Sequence, residues 1–182
     1  MESGIAYVMG RSGVGKDTLL KAARSRLAGE PILFAHRYIT RPVHADENFI
    51  SLSAAEFELR RRRGLFAMHW QAYGNAYGIG REIGLWQRAG CLVVVSGSRE
   101  HFLAKLAGDP AVTPILVTAS PSVVADRLRA RGRDDAPAIA QRLTRADAFA
   151  ISHPRLVEIA NDSAVEDGAG RLVGALRTLL LR

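Results

Sequence analysis

Nine consecutive residues near the amino terminus, Gly10-Arg-Ser-Gly-Val-Gly-Lys-Asp-Thr18, constrain this chain more than any others. They lie between an apolar run, Ile5–Met9, and a stretch with Leu19, Leu20, Ala23 and Leu27 at helical spacing. A strand that turns into a helix through glycines points backbone N–H groups inward, where they surround phosphate oxygens. The helix N-terminus adds a favourable dipole. The spacing predicts a phosphate loop made of Gly10, Arg11, Ser12, Gly13, Val14, Gly15, Lys16, Asp17 and Thr18, with Lys16 following the transferring phosphoryl group.

One position departs from the usual pattern. Ser or Thr ordinarily follows the lysine, but Asp17 stands there and the hydroxyl comes next, at Thr18. A carboxylate beside a triphosphate is repulsive unless Mg²⁺ lies between them. Asp17, with Thr18, therefore holds the metal, directly or through water, or else Asp17 caps the helix; the loop's direction favours the metal.

The rest of the chain supplies a frame for such a loop. Residues 32–35, 92–95 and 114–117 are continuous apolar runs, the mark of strands buried on both faces, and 156–160 is a further strand candidate. Helices are expected after Ser120-Pro121, a good cap and first-turn pair, and over 169–181. Strands alternating with helices imply an α/β fold with a parallel sheet. Residues 37–90 differ: they are polar, aromatic and punctuated by glycine. Ser53 and Glu56 there form a capping box for a helix to Arg63.

At 182 residues the chain fits one domain, able to bury roughly 70% of its extended surface. No apolar run reaches the ~18 residues of a membrane span, and the N-terminal residues show no signal-peptide pattern. Cys91 is the lone cysteine, which fits a reducing, cytoplasmic setting. The net charge is +7, and only Lys16, Lys21 and Lys105 among the 25 basic residues are lysines. Arginine suits bidentate binding of phosphate. Nucleic acid is a rival partner, but the four arginines at 60–63 point all around a helix and mostly into solvent. The five histidines lack metal-ligand spacing. Trp70, Tyr73 and Tyr77 either stack on a ligand or pack the rim.

Together with the phosphate loop, several local motifs resemble the guanylate kinase-like branch of the nucleoside-monophosphate kinases over nearly the whole length. They are Thr40-Arg41, Tyr77-Gly78 within Gly-Asn-Ala-Tyr-Gly-Ile-Gly-Arg-Glu, Leu128-Arg-Ala-Arg-Gly-Arg133, Gln141-Arg142-Leu143 and Asn161-Asp162. The resemblance implies a P-loop NTPase of three-layer α/β/α architecture with a mainly parallel sheet. Its core would be 1–36 and 91–182, its inserted acceptor-binding subdomain 37–90 and its lid about 129–140. It also implies ATP and Mg²⁺ as cofactors. Lys16, Arg41, Arg131 and Arg142 would be catalytic, and Arg127, Arg131 and Asn161 would join the loop in holding the nucleotide. Arg37, Thr40, Arg41, Glu47, Tyr77, Arg81, Ser96 and Ser98 would hold the acceptor, with capping as the rival role for Ser98.

Base recognition, by contrast, is dismantled. The guanine-reading segment of guanylate kinases corresponds to Ala45-Asp-Glu-Asn-Phe-Ile-Ser-Leu52, which keeps Glu47 but lacks the glycines, aspartate and tyrosine. Arg37 replaces a hydroxyl residue, and the acidic strand end becomes Val95-Ser-Gly-Ser98. With His36-Arg-Tyr-Ile-Thr-Arg41 and Val-Ser-Gly-Ser-Arg99, this pattern resembles the ribose 1,5-bisphosphate phosphokinases of phosphonate degradation. That likeness implies ATP and ribose 1,5-bisphosphate as small-molecule substrates, no nucleic-acid or membrane partner, and a monomer or homodimer. The alternatives are a guanylate or other nucleoside-monophosphate kinase, or a non-catalytic binding module, which could dispense with the loop.

Overall fold

The computed structural model describes residues 4–42, 48–131 and 150–181. In chain order its elements are β1 (Ile5–Met9), α1 (Lys16–Arg26), β2 (Ile32–Phe34), β3 (Arg37–Ile39), β4 (Phe49–Ser51) and α2 (Ala54–Arg62). There follow β5 (Phe66–Ala72), β6 (Asn75–Gly80), α3 (Glu82–Arg88), β7 (Leu92–Ser96) and the short α4 (Arg99–His101), which runs into a π-helical turn over Phe102–Leu106. The chain continues through β8 (Val112–Thr118), α5 (Pro121–Arg131), β9 (Val157–Ala160) and α6 (Val165–Leu180).

Five strands form a parallel sheet in the order β2-β7-β1-β8-β9. The central strands β1 and β7 are buried along their whole length, which is why their sequences are continuously apolar. Ala6, Val8 and Val94 face a layer built from α1, α5 and α6, where Leu19, Leu128 and Leu172 are fully buried. Tyr7, Val93 and Val95 face the opposite way, onto Ile83 of α3 and onto Phe102 and Leu106 of the π turn. The sheet is thus covered on both sides, as the sequence implies.

Boundaries shift slightly from expectation. Helix α6 starts at Val165, four residues before the predicted 169, with Glu166 and Asp167 in its first turn to complement the helix dipole. Its Gly168 lies so close to Leu19 of α1 and to Asn161 that a Cβ there would press on both. A low-propensity residue is kept by packing. Pro121 opens α5, and the Ser120 carbonyl accepts the Val124 N–H at 3.0 Å.

The second sheet, in the order β4-β3-β6-β5, draws all its strands from residues 37–80. Its small core joins Leu52, Phe57 and Phe66. Ser53 caps α2 as the capping box predicts, its Oγ accepting from the Glu56 N–H at 3.1 Å. The arginine run pairs within its own helix, Arg60 with Glu56, and Arg61 and Arg62 with Glu58. Met68 and Ile79 connect this sheet to the core beneath the large one.

His101 sits where the two sheets meet, 3.1 Å from the Tyr7 hydroxyl through Nδ1 and 5.1 Å from the Trp70 ring. Burial pushes its imidazole pKa below the usual 6.5, and the charges of His69 and Lys105 push in the same direction. On acidification the unfolded chain takes up this proton first, so folding loses stability as pH falls through and below ~6.5. His101→Gln should flatten that slope: in urea titrations between about pH 7.5 and about pH 5.5, the wild type loses more stability than the variant.

Candidate active site

The phosphate loop is held from behind by residues far away in sequence. The chain leaves β1, takes left-handed conformations at Gly13 and Gly15 (φ 88° and 86°), and enters α1. The Val14 carbonyl accepts two donors, Asn161 Nδ2 at 2.7 Å and Arg127 Nη1 at 3.1 Å. Arg11 reaches the Ala119 carbonyl at 2.6 Å. A Cβ at Gly15 would meet Asn161 Nδ2 at 2.5 Å, so both the positive φ and this close approach call for glycine. Next to Asn161, Asp162 accepts from the Ser120 N–H at 2.6 Å, and that bond holds its carboxyl below the usual carboxylate range.

In front of the loop, three side chains converge. Lys16 Nζ donates to Ser96 Oγ at 2.6 Å and lies 3.1 Å from Asp17 Oδ1. Arg37 Nη2 approaches the same carboxylate oxygen at 3.3 Å. The side chains of Lys16 and Arg37 are only 11% and 12% exposed, against 43% for Asp17. No side chain caps α1, whose N-cap is Gly15. Asp17 stands in the first turn of α1, and its carboxylate faces the two cations. Lys16, Asp17 and Arg37 border a cavity of about 630 Å³, within the range of small-molecule sites, that also takes in Arg41, Trp70 and Tyr77.

The expected site residues divide clearly. Gly10, Arg11, Ser12, Gly13, Gly15, Lys16, Asp17, Arg37, Arg41, Tyr77 and Ser98 line the large cavity. Ser96 borders a smaller neighbour. Val14 and Asn161 are buried behind the loop, and Arg127 binds the same carbonyl there. Thr18 is exposed and borders neither cavity. Thr40 uses its hydroxyl to accept from the Ala76 N–H at 2.9 Å, which ties the end of β3 to β6. Arg81 is exposed at the start of α3, and it too borders neither cavity. Ser98 caps α4 through the His101 N–H at 3.4 Å. Glu47 and Arg142 lie outside the described residues, as do the Arg131 side chain and most of the expected lid.

Tyr77 and Trp70 stack face to face, 5.5 Å apart with 5° between planes, so packing and cavity lining are one arrangement. Arg41 lies over the Phe49 ring at 4.7 Å. Arg99, Glu100 and Tyr73 also line the cavity. The first two follow the carboxyl end of β7, where parallel sheets place ligands. Tyr73 sits in the hairpin turn with φ 50°. Under the site, the buried Tyr7 hydroxyl accepts from the Ser98 N–H at 3.0 Å, and burial pushes its phenol pKa up. Its ring fills the space beside Gly97, where any Cβ would collide with it.

Asn161→Ala removes a buried donor from a buried carbonyl and should cost about 1–3 kcal/mol. The melting temperature should fall by roughly 2–4 °C per kcal/mol because the loop loses its backing.

No family model matches the chain. Curated relatives do. The ribose 1,5-bisphosphate phosphokinase PhnN of Thiobacillus denitrificans is 49% identical over 177 residues, covering 96% of this chain and 93% of that one. Its counterpart in Desulfomicrobium baculatum is 47% identical over 176 residues, covering 96% and 94%. Among solved structures, a guanylate kinase from Anaplasma phagocytophilum aligns with a TM-score of 0.68 at 19% identity, over 99% of this chain and 87% of that one. A gluconokinase from Sinorhizobium meliloti aligns at 0.54 and 18% identity, over 99% and 95%. These two structures show the fold, a guanylate kinase-like α/β arrangement. Identity near one half over almost the full length of both chains shows more: this chain belongs to the ribose 1,5-bisphosphate phosphokinase family.

Proposed function

We propose that this protein transfers the γ-phosphoryl group of ATP to the 1-phosphate of ribose 1,5-bisphosphate, forming 5-phosphoribosyl 1-diphosphate and ADP. The observation that carries this reading is the convergence of Lys16, Arg37 and Arg41 on one cavity at the phosphate loop, in a chain of this family. The acceptor is a phosphate monoester with a second pKa near ~6, so at neutral pH its oxygen is already ionised. A non-bridging oxygen of the 1-phosphate attacks the γ-phosphorus. The bond from that phosphorus to the bridging oxygen breaks, and the electron pair leaves with ADP. No proton moves, so the absence of a carboxylate at Val95-Ser-Gly-Ser98 costs the reaction nothing.

What such a step requires is relief of repulsion between two polyanions. Lys16 and Arg37 are largely buried, so salt screens them weakly, and their charge is directed into the cavity by Ser96 and Asp17. Asp17 suits a magnesium ion shared with nucleotide phosphates, since it lines the cavity and is the more exposed partner of its ion pairs. Thr18 fits that role less well, because it borders neither cavity. When bound, Mg²⁺ neutralises charge on the β- and γ-phosphate oxygens. A nucleoside-monophosphate acceptor is disfavoured, because the strand end Val95-Ser-Gly-Ser98 offers no carboxylate to read a base.

ADP release assays with ATP·Mg²⁺ should show turnover on ribose 1,5-bisphosphate; turnover on GMP in its place would overturn the reading. Lys16→Ala should lower kcat by about 10²–10³. Arg41→Lys should raise the KM for the acceptor about tenfold and that for ATP far less, since lysine loses the bidentate fork. Asp17→Asn should raise the Mg²⁺ concentration needed for half-maximal rate. An unchanged titration would restrict Asp17 to holding Lys16 and Arg37.

A further inference from the structure

Beside the large cavity lies a second one of about 350 Å³ that the transfer step leaves unused. Leu20, Phe34, Ala35 and Val94 give it apolar walls. Asp17, Lys21 and Arg24 stand at i, i+4 and i+7 on α1 and so share the face turned toward it. The helical rise places Lys21 about 6 Å and Arg24 about 10 Å beyond Asp17. Arg37 borders it from β3, and Asn48 accepts from Arg24 Nη1 at 3.2 Å. The described lining sets three cations against one carboxylate, over an apolar floor.

Asp17 and Arg37 belong to both cavities, so the two form one branched space that divides at that ion pair. The acceptor of the proposed reaction has a matching form, with one phosphate on each side of a furanose ring. Both of its ends are dianions, and a site that bound only one of them could not tell the two apart. A cationic branch set off from the phosphate loop removes the ambiguity, because the phosphate it holds cannot reach the γ-phosphoryl group. We infer that the smaller cavity binds the distal, 5-phosphate of the acceptor, and that Lys21 and Arg24 are specificity-determining residues for it. Arg37 at the fork then faces both phosphates. This assignment rests on the reaction proposed above.

The test uses the full chain with ribose 5-phosphate, which carries only the distal phosphate, as an inhibitor of the ribose 1,5-bisphosphate reaction. Lys21 and Arg24 are exposed on α1, so their variants should keep the wild-type melting temperature. Ribose 5-phosphate should compete with the acceptor. Lys21→Ala and Arg24→Ala should each raise the KM for ribose 1,5-bisphosphate about tenfold, and the inhibition constant of ribose 5-phosphate in parallel. The KM for ATP should move less than about twofold, and Lys21→Arg should restore most of the loss. Inhibition that is non-competitive with the acceptor would mean a separate anion site and would overturn the assignment. So would variants that leave the acceptor KM unchanged, or that shift acceptor and ATP equally. Failure of the underlying reaction gives a different signature, a wild type that releases no ADP with ribose 1,5-bisphosphate, and the assignment falls with it.

Discussion

The carbonyl of Val14 is the point on which this site depends. A loop with left-handed glycines at 13 and 15 has many accessible conformations, and only one presents its front to a phosphate. The two donors on the Val14 oxygen select that one, and they come from separate elements, Asn161 after β9 and Arg127 in α5. The loop is therefore a property of the assembled sheet and its covering helices. Once it is in place, Lys16 starts α1 in the direction that brings its ammonium to Ser96 at the end of β7. Strands β1, β7 and β8, adjacent in the sheet, thereby fix the loop's side of the site within one layer.

The side of the cavity opposite the loop is built differently. Arg37, Arg41, Trp70 and Tyr77 come from the smaller sheet, whose own core is three buried residues with partly buried neighbours. It meets the large sheet through Met68 and Ile79 beneath, and through the Asp17–Arg37 ion pair above. That ion pair is a polar contact between the two halves of the site, beside the Arg24–Asn48 hydrogen bond. Its Asp17 end is the more exposed, so it can exchange partners without opening the core.

Much of this was legible in the sequence, and the remainder was hidden for physical reasons. The buried strands announce themselves by unbroken apolar runs, and the phosphate loop by glycine spacing between a strand and a helix. Ser53 signals its helix through Glu56, three residues on, because a capping box is local. Asn161 could not be read in this way. Its partner Val14 lies 147 residues away, and a resemblance that places it beside a nucleotide says nothing of the carbonyl it holds. Thr40 has the same history: its motif marks an acceptor contact, while its hydroxyl accepts a backbone N–H from the neighbouring strand. Nothing in the sequence marks Lys21 and Arg24 as a pair facing a ligand; only the fold shows that β2 and β7 turn their face of α1 into a cavity.

The close packing of Tyr7 against Gly97 has an evolutionary reading. Tyr7 belongs to the central strand and is fully buried, and its hydroxyl bonds both backbone groups of Ser98. In this chain, replacing Gly97 by aspartate would force the aromatic ring out of the core. Positions 7 and 97 can change only together, and the first of the two changes is harmful whichever comes first: a smaller residue at 7 leaves a void, and a larger one at 97 leaves a clash. A steric valley thus guards this pair of positions against stepwise change.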